Sequence, residues 1–300
     1  MPRKFPKLAK LIEPYRIEQG KKFRLKDHDP KDTQGLDLKD EANQFLKDGI
    51  QQLNEMQQKL YAQDRWALLL IFQGMDSAGK DSAIRHVMTG VNPEGCQVYS
   101  FKQPSAEDLS HDFLWRSWKY LPPRGHIGIF NRSYYEETLI VRVHPPVLRQ
   151  ERIPPPLVTK RIWRERFEAI NAFERYLERN GTVVRKFFLH LSKEEQRSRF
   201  LARLDEPDKN WKFSEDDVRE REHWHDYMRA YEDTIRHTAT PHAPWYVVPA
   251  DHKWFAWMVV ASAIIDLLES LKLSYPKVDA EKRKELESAR KLLVEEGGAS

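Results

Sequence analysis

A short apolar run that ends in a glycine-rich turn constrains this chain more than any other feature. Trp66 to Phe72 (WALLLIF) is followed by Gln73 and then by GMDSAGKD, Gly74 to Asp81. A continuous apolar run of this length suits a strand buried on both faces, as in a parallel sheet. The turn matches G-x-x-x-x-G-K and departs from the usual phosphate-binding loop at the position after the lysine. Gly74 and Gly79 let the backbone turn so that N–H groups of the loop (Met75, Ser77, Ala78) point inward at phosphate oxygens. The helix expected after Lys80 brings its N-terminal dipole to the same anion. Lys80 itself places a point charge on the terminal phosphates.

The same loop carries two acids. Asp81 stands where such loops usually hold a metal-binding Ser or Thr, and Asp76 adds a second negative charge. The strand HIGIFN ends at Asn131, where a second, metal-associated Asp is usual. Magnesium takes carboxylate oxygens and keeps several waters, so Asp81 can supply the charge that Asn131 lacks. We expect Asp76 and Asp81 to face Mg2+, or Mn2+ in its place, directly or through water. For Asp76 the alternative is a solvated loop acid.

Strand and helix patterns alternate along the chain. Helical spacing runs from Leu38 to Gln63, after Lys80, from Ala106 to Tyr120 and from Thr159 to Asn180, with Gly181 as a stop signal. Strands are expected at QVYSF, HIGIFN, TVVRKFFLHL and WYVVP. SKEEQ opens a helix with a capping box, Ser192 and Glu195. SEDDVREREHWHDYMRAYEDTIRHT predicts one further helix, and Trp254 to Leu271 another. This alternation predicts a doubly wound α/β domain. Residues 1–37 read as an arm over the surface, 38–273 as the main domain and 274–300 as a helical tail. The most apolar C-terminal run is broken by Asp266 and Glu269 and is too short to span a bilayer comfortably. With no secretory core at the N-terminus, a cytoplasmic protein is expected. Net charge is only +4, with both signs spread along the chain, which argues against a dedicated nucleic-acid binder. A single cysteine, Cys96, excludes an intrachain disulfide and a cysteine metal cage.

Taken together, GMDSAGKD, FKQPSAEDLSHDFLWRSWKYLPPRGHIGIFNRSYYEE, LHLSKEEQRSRFLARLDEPDKNWKFSEDD and APWYVVPADHK resemble the polyphosphate kinase 2 family over roughly Lys39 to Leu271. The resemblance implies a P-loop kinase fold similar to thymidylate kinase: a three-layer α/β/α core with a central parallel sheet and a helical lid around 192–214. It implies reversible phosphoryl transfer between inorganic polyphosphate and AMP or ADP with magnesium. It also implies adenine or guanine nucleotides as partners, and a homo-oligomer, dimer or tetramer. The site residues it carries over are Asp76, Lys80, Asp81, Arg132 and the lid arginines. Many members read DRSWYNR where this chain reads NRSYYEE. That form looks like the class III subgroup, whose members phosphorylate AMP as well as ADP. Glu136 and Glu137 therefore stand near the expected acceptor end, and one of them, with Glu137 as the candidate, is expected to bind water or metal that helps accommodate a shorter acceptor. The plainer reading is two helix-start acids satisfying a dipole.

A polyanionic donor needs a line of cations. Arg199 and Arg203 lie at i, i+4 on one helical face, beside an apolar stripe of Phe200 and Leu204, and Lys209 and Lys212 follow in DEPDKNWKF. Each alone is more commonly a surface residue; as a cluster they suggest contact with the donor. Arg132 can reach the transferring group as a clamp. No histidine is marked as a nucleophile, so direct in-line transfer without a phosphoenzyme is expected. An ATP-dependent nucleoside monophosphate kinase and a non-catalytic polyphosphate- or nucleotide-binding regulator remain the competing readings.

Overall fold

The computed structural model describes residues 8–37, 40–210, 213 and 215–297. The order is α1 (Leu8–Ile12), β1 (Arg16–Ile17), α2 (Asp40–Gln63), β2 (Ala67–Gln73), α3 (Lys80–Val87), β3 (Cys96–Ser100), α4 (Trp115–Trp118) and β4 (Ile127–Asn131). It continues with α5 (Ile140–Val143), α6 (Pro145–Leu148), α7 (Ile162–Arg179), β5 (Thr182–His190), α8 (Lys193–Asp205), α9 (Pro207–Asn210) and α10 (Glu215–Arg219). The last elements are α11 (Trp224–Thr238), β6 (Trp245–Pro249), α12 (Lys253–Ser270) and α13 (Ala280–Gly297). The strands form one sheet in the order β1-β6-β5-β2-β4-β3, parallel except for β1, which runs antiparallel to β6.

β2 is central and every one of its residues is buried. The period-2 alternation of a strand sorts its side chains between two layers. Leu68, Leu70 and Phe72 pack with Leu11, Leu53 and Ile264, from α1, α2 and α12. Leu69 and Ile71 pack on the other face with Phe173, Tyr231 and Trp245. Each fully buried Leu contributes roughly 1.5–3 kcal/mol, so β2 alone anchors both layers. The result is the three-layer α/β/α architecture, with a mostly parallel sheet.

Three regions differ from the sequence expectation, each for a local reason. The segment before residue 38 is not simply laid over the surface. Leu11, Ile12 and Tyr15 are buried, and β1 adds an edge strand to the sheet. Its elements are one turn or two residues long, too short to show a period. The stretch from Ala106 to Tyr120 holds a 3-10 turn, Asp108–Ser110, and the single-turn α4 in place of a full helix. There Asp108 accepts from Ser105 N and Oγ, both at 2.9 Å, and Asp112 accepts from Leu114 N at 2.9 Å. Such local side-chain bonds compete with helix propagation. The segment 215–238 is broken by a 3-10 turn at Glu220–His223, where Glu220 accepts from Tyr227 Oη at 2.8 Å and contacts His144 at 3.0 Å.

One buried ion pair ties the layers together beneath the site. Lys186 of β5 and Glu174 of α7 are both fully buried, 2.7 Å apart. Tyr134 and Tyr135 donate to Glu174 Oε1 at 2.9 and 2.7 Å, and Lys186 also donates to Thr238 O at 2.7 Å. The two tyrosines open the 3-10 turn Tyr134–Thr138, so the pair fixes that turn against the sheet. Removing one partner strands a buried charge. Lys186→Met is expected to lower unfolding free energy in urea by about 3–5 kcal/mol. Adding Glu174→Gln, which still accepts from the tyrosines, is expected to recover at least half of that loss; no recovery would contradict the pairing.

Candidate active site

The loop between β2 and α3 follows from its residue types. Gly79 sits at φ +99° before the first turn of α3, a region that favours glycine. Gly74 is required by space, because a Cβ there would lie 3.0 Å from Leu189 O and 3.0 Å from the Ala78 side chain. Ser77 adopts φ +63°, uncommon for a residue with a side chain. Ala78 N–H closes onto Met75 O at 3.1 Å, so it faces the turn itself rather than the cradle foreseen for it. The Lys80 ammonium is buried and donates to Gly74 O at 2.7 Å and Met75 O at 3.2 Å. Burial, reinforced by the nearby Arg132, lowers its pKa to about 8, against the pull of Asp76, Glu136 and Asp81.

β4 ends beside this loop. Phe72 of β2 lies opposite Asn131, and Arg132 N–H continues the ladder to Phe72 O at 2.9 Å. Asn131 Nδ2 donates to Asp81 Oδ1 at 2.5 Å, so the amide and the displaced carboxylate meet as a pair. Arg132, itself at φ +63°, donates to Asp76 at 2.6 Å and to Glu136 at 3.2 Å. Glu136 first, and Asp76 after it, hold the Arg132 pKa above its ordinary value despite burial. The loop acids are thus engaged from the end of β4, one by a cation and one by an amide. Among the described residues, no group of three or more His, Cys, Asp or Glu forms a metal cage.

Arg132 and Glu136 also line a cleft of about 550 Å³, together with Phe101, Lys102, Arg116 and Glu137. Within it Glu137 is bonded by Arg166 of α7, which also bonds Glu151. Burial and the neighbouring Glu151 raise the Glu137 pKa to about 8, opposed by Arg166. Glu136 therefore belongs to the phosphate-loop cluster, and Glu137 to a buried triad in the cleft wall.

The lid arginines diverge. Ser192 Oγ accepts from Glu195 N at 3.1 Å, as the capping box requires, and donates to Asp251 at 2.7 Å. Glu195 does not reach back to the cap in a reciprocal bond; it accepts from Arg199 Nε at 2.8 Å. Arg199, largely covered, donates to the loop carbonyls of Ser77 and Ala78, and Arg203 donates to Ser77 Oγ at 2.8 Å. Phe200 is buried, whereas Leu204 is exposed, so only half of the expected apolar stripe packs. The backbone of Lys209 lies in α9, and Lys212 lies outside the described residues.

Several residues at the site escape a sequence reading. Gln196 Nε2 donates to Asp76 O at 2.9 Å and its oxygen accepts from Arg221 at 2.7 Å. Gln73, fully buried, bonds Ser133 Oγ at 3.1 Å. Tyr231 stacks on Phe188, and its phenol, raised by burial, meets the Gly74 backbone. Gln73 had a signal, a polar residue closing an apolar run. Gln196 and Tyr231 sit in helical patterns that give none.

A parallel sheet with a strand–loop–helix phosphate cradle, a buried loop lysine and a covering helix defines a P-loop kinase of the α/β/α type. A sequence profile described as Polyphosphate kinase 2 matches residues 36–276. The chain belongs to this family. It is 51% identical over 281 residues to the ADP-polyphosphate phosphotransferase of Rhodopseudomonas palustris, covering 93% of this chain and 97% of that one. It is 40% identical over 274 residues to the AMP/ADP-polyphosphate phosphotransferase of Meiothermus ruber, covering 91% and 98%. The crystal structure of polyphosphate kinase 2 from Arthrobacter aurescens superimposes with a TM-score of 0.86, at 40% identity and 97% coverage of both chains. Among the described residues no helix is long and apolar enough to cross a membrane.

A lysine whose pKa falls to about 8 loses its charge as pH rises through that value. The free enzyme's kcat/KM for a phosphate donor is therefore expected to fall on the alkaline side with an apparent pKa near 8. A bound anion favours the charged form, so the same limb in kcat is expected at higher pH. Lys80→Arg keeps its charge and is expected to lack the limb; a limb that survives in that variant contradicts the assignment.

Proposed function

We propose that this chain transfers a phosphoryl group from inorganic polyphosphate to AMP or ADP, reversibly and by direct in-line displacement. The observation that carries this reading is the position of Arg132. It bonds Asp76 of the phosphate loop and lines the 550 Å³ cleft, so one guanidinium borders both a polyanion cradle and a nucleotide-sized cavity. The relatives at 51% and 40% identity, named for polyphosphate with ADP and with AMP/ADP, support the donor and the acceptor class.

In this reading the Gly74–Asp81 loop and Lys80 bind the end of the donor chain, with Lys80 exchanging its carbonyl bonds for phosphate oxygens. Arg132 bridges donor and acceptor and balances charge on the transferring group. Arg203, bonded to Ser77 Oγ of the loop, contributes a further cation toward the donor, and Lys209 and Lys212 are assigned the same role from the sequence. The cleft holds the nucleotide. The buried Glu137–Arg166–Glu151 triad shapes its wall, which gives Glu137 a role in acceptor choice. Phosphoryl transfer leaves little covalent chemistry to the protein, so orientation and charge neutralisation suffice.

The donor set fits a divalent cation of the magnesium type. Asp81 and Asp76 offer carboxylate oxygens beside the loop without a closed cage, and magnesium is held by one or two carboxylates plus substrate phosphates. Asp81, paired with an amide and exposed, is the readier ligand; Asp76 would share its carboxylate with Arg132. Bound there, Mg2+ (or Mn2+) would neutralise charge on the phosphates. Homo-oligomeric assembly, as a dimer or tetramer, is part of the same proposal.

The test is product formation from AMP and from ADP with polyphosphate and Mg2+, without ATP. Transfer to at least one acceptor is expected, and Lys80→Ala is expected to reduce kcat by about a hundredfold or more. Phosphorylation of AMP by ATP alone, with polyphosphate inert, would instead make the chain a nucleoside monophosphate kinase. Tight polyphosphate binding without transfer would make it a regulator.

A further inference from the structure

Arg199 looks in sequence like Arg203, a second cation on the same face of the lid helix. The structure separates them. A guanidinium has five N–H donors in a fixed fork and no acceptor. In Arg199 all five directions have partners. Nε donates to Glu195 Oε1 at 2.8 Å; Nη1 donates to Ser77 O at 3.0 Å and Ala78 O at 3.1 Å; Nη2 donates to Ala250 O at 2.6 Å and Asp251 O at 3.0 Å. Its side chain is only 9% exposed, against 22% for Arg203. A phosphate oxygen could enter only by displacing one of these bonds.

We propose that Arg199 is a positioning residue that sets the phosphate loop from behind and does not bind the donor. The inference rests on the functional reading above and deepens it. A trans peptide points its C=O and the following N–H in opposite directions. Holding Ala78 O against the guanidinium therefore aims Gly79 N–H the other way, toward the cradle. Holding Ser77 O likewise turns Ala78 N–H away from the guanidinium, here onto Met75 O, which completes the turn. Ser77 needs this support, since at φ +63° it occupies a region that residues with a Cβ avoid. The fork also joins three segments at one point: the loop, the start of α8, and the residues after β6. A lysine cannot replace it, because one ammonium offers three donors from a single atom.

The test combines Arg199→Lys with substitutions at Ser77. Arg199→Lys keeps the charge, so a donor ligand would survive the change better than a brace. The expected result is a fall in kcat of about a hundredfold, as misplaced reacting groups produce, with KM for polyphosphate changed less than about threefold. Glycine adopts the left-handed conformation freely, so Ser77→Gly in the Arg199→Lys background is expected to restore at least about tenfold of the lost kcat. Ser77→Ala, which also removes the hydroxyl but keeps the Cβ, is expected to restore none. A tenfold rise in polyphosphate KM at unchanged kcat, or equal effects of Gly and Ala, would overturn the proposal. If Arg199→Lys does not fold, the double variant carries the test, and failure of Ser77→Gly to recover folded, active protein also overturns it. Amide exchange across residues 74–83 needs no activity: Arg199→Lys is expected to accelerate it and Ser77→Gly to reverse part of the change, whereas unchanged exchange refutes the brace. If wild type moves no phosphoryl group from polyphosphate, the functional reading fails, and exchange still decides the role of Arg199.

Discussion

The register between β2 and β4 is the constraint on which the rest of the site depends. Because Phe72 lies opposite Asn131, the turn leaving β2 meets the turn leaving β4, and Asp81 and Asp76 come against Asn131 and Arg132. A slip of one residue would send the β4 side chains to the opposite face and leave two loop acids uncompensated. The register is held by burial on both faces of β2, and by the Lys186–Glu174 pair that clamps the turn after Arg132. Packing energy in the core therefore sets the electrostatics of the loop.

Those electrostatics explain why an anion-binding loop tolerates carboxylates. Lys80 and Arg132 stand among Asp76, Asp81 and Glu136, and the two cations respond in opposite ways. Arg132 is held charged by its acidic neighbours, while Lys80, deeper and beside another cation, has its charge weakened. In this state the Lys80 ammonium bonds the carbonyls of Gly74 and Met75. An incoming phosphate would replace those weak dipoles with full charges. The loop is a balanced cluster of both signs, unlike a permanently positive patch.

The parts legible in the sequence were those encoded by contiguous residues. The apolar run of β2, the glycine spacing, the N-cap at Ser192 and the compensating residue types at Asp81 and Asn131 could all be read from the sequence, whereas the hydrogen bond that joins those two could not. The edge strand β1 could not, because two residues have no period and its partner lies more than two hundred positions away. Nor could the loss of the helix near Ala106, which depends on Asp108 and Asp112 turning their carboxylates to their own backbone. Arg199 and Arg203 share a spacing and a residue type but not a set of partners; only the fold tells a guanidinium saturated by loop carbonyls from one that bonds the Ser77 hydroxyl. Glu137 lies one residue from Glu136, yet Arg166 claims it from a separate helix.

The central claim is that one carboxylate is needed where the loop meets the end of β4, and that here it comes from the loop. An exchange of sides tests it most directly: kcat of Asp81→Ser, and of Asp81→Ser combined with Asn131→Asp, measured across a range of Mg2+ concentrations. The single variant is expected to lose about a hundredfold in kcat, and the double variant to regain at least tenfold of it with a restored magnesium dependence. A double variant no better than the single one, or a single variant with wild-type magnesium dependence, would contradict the account.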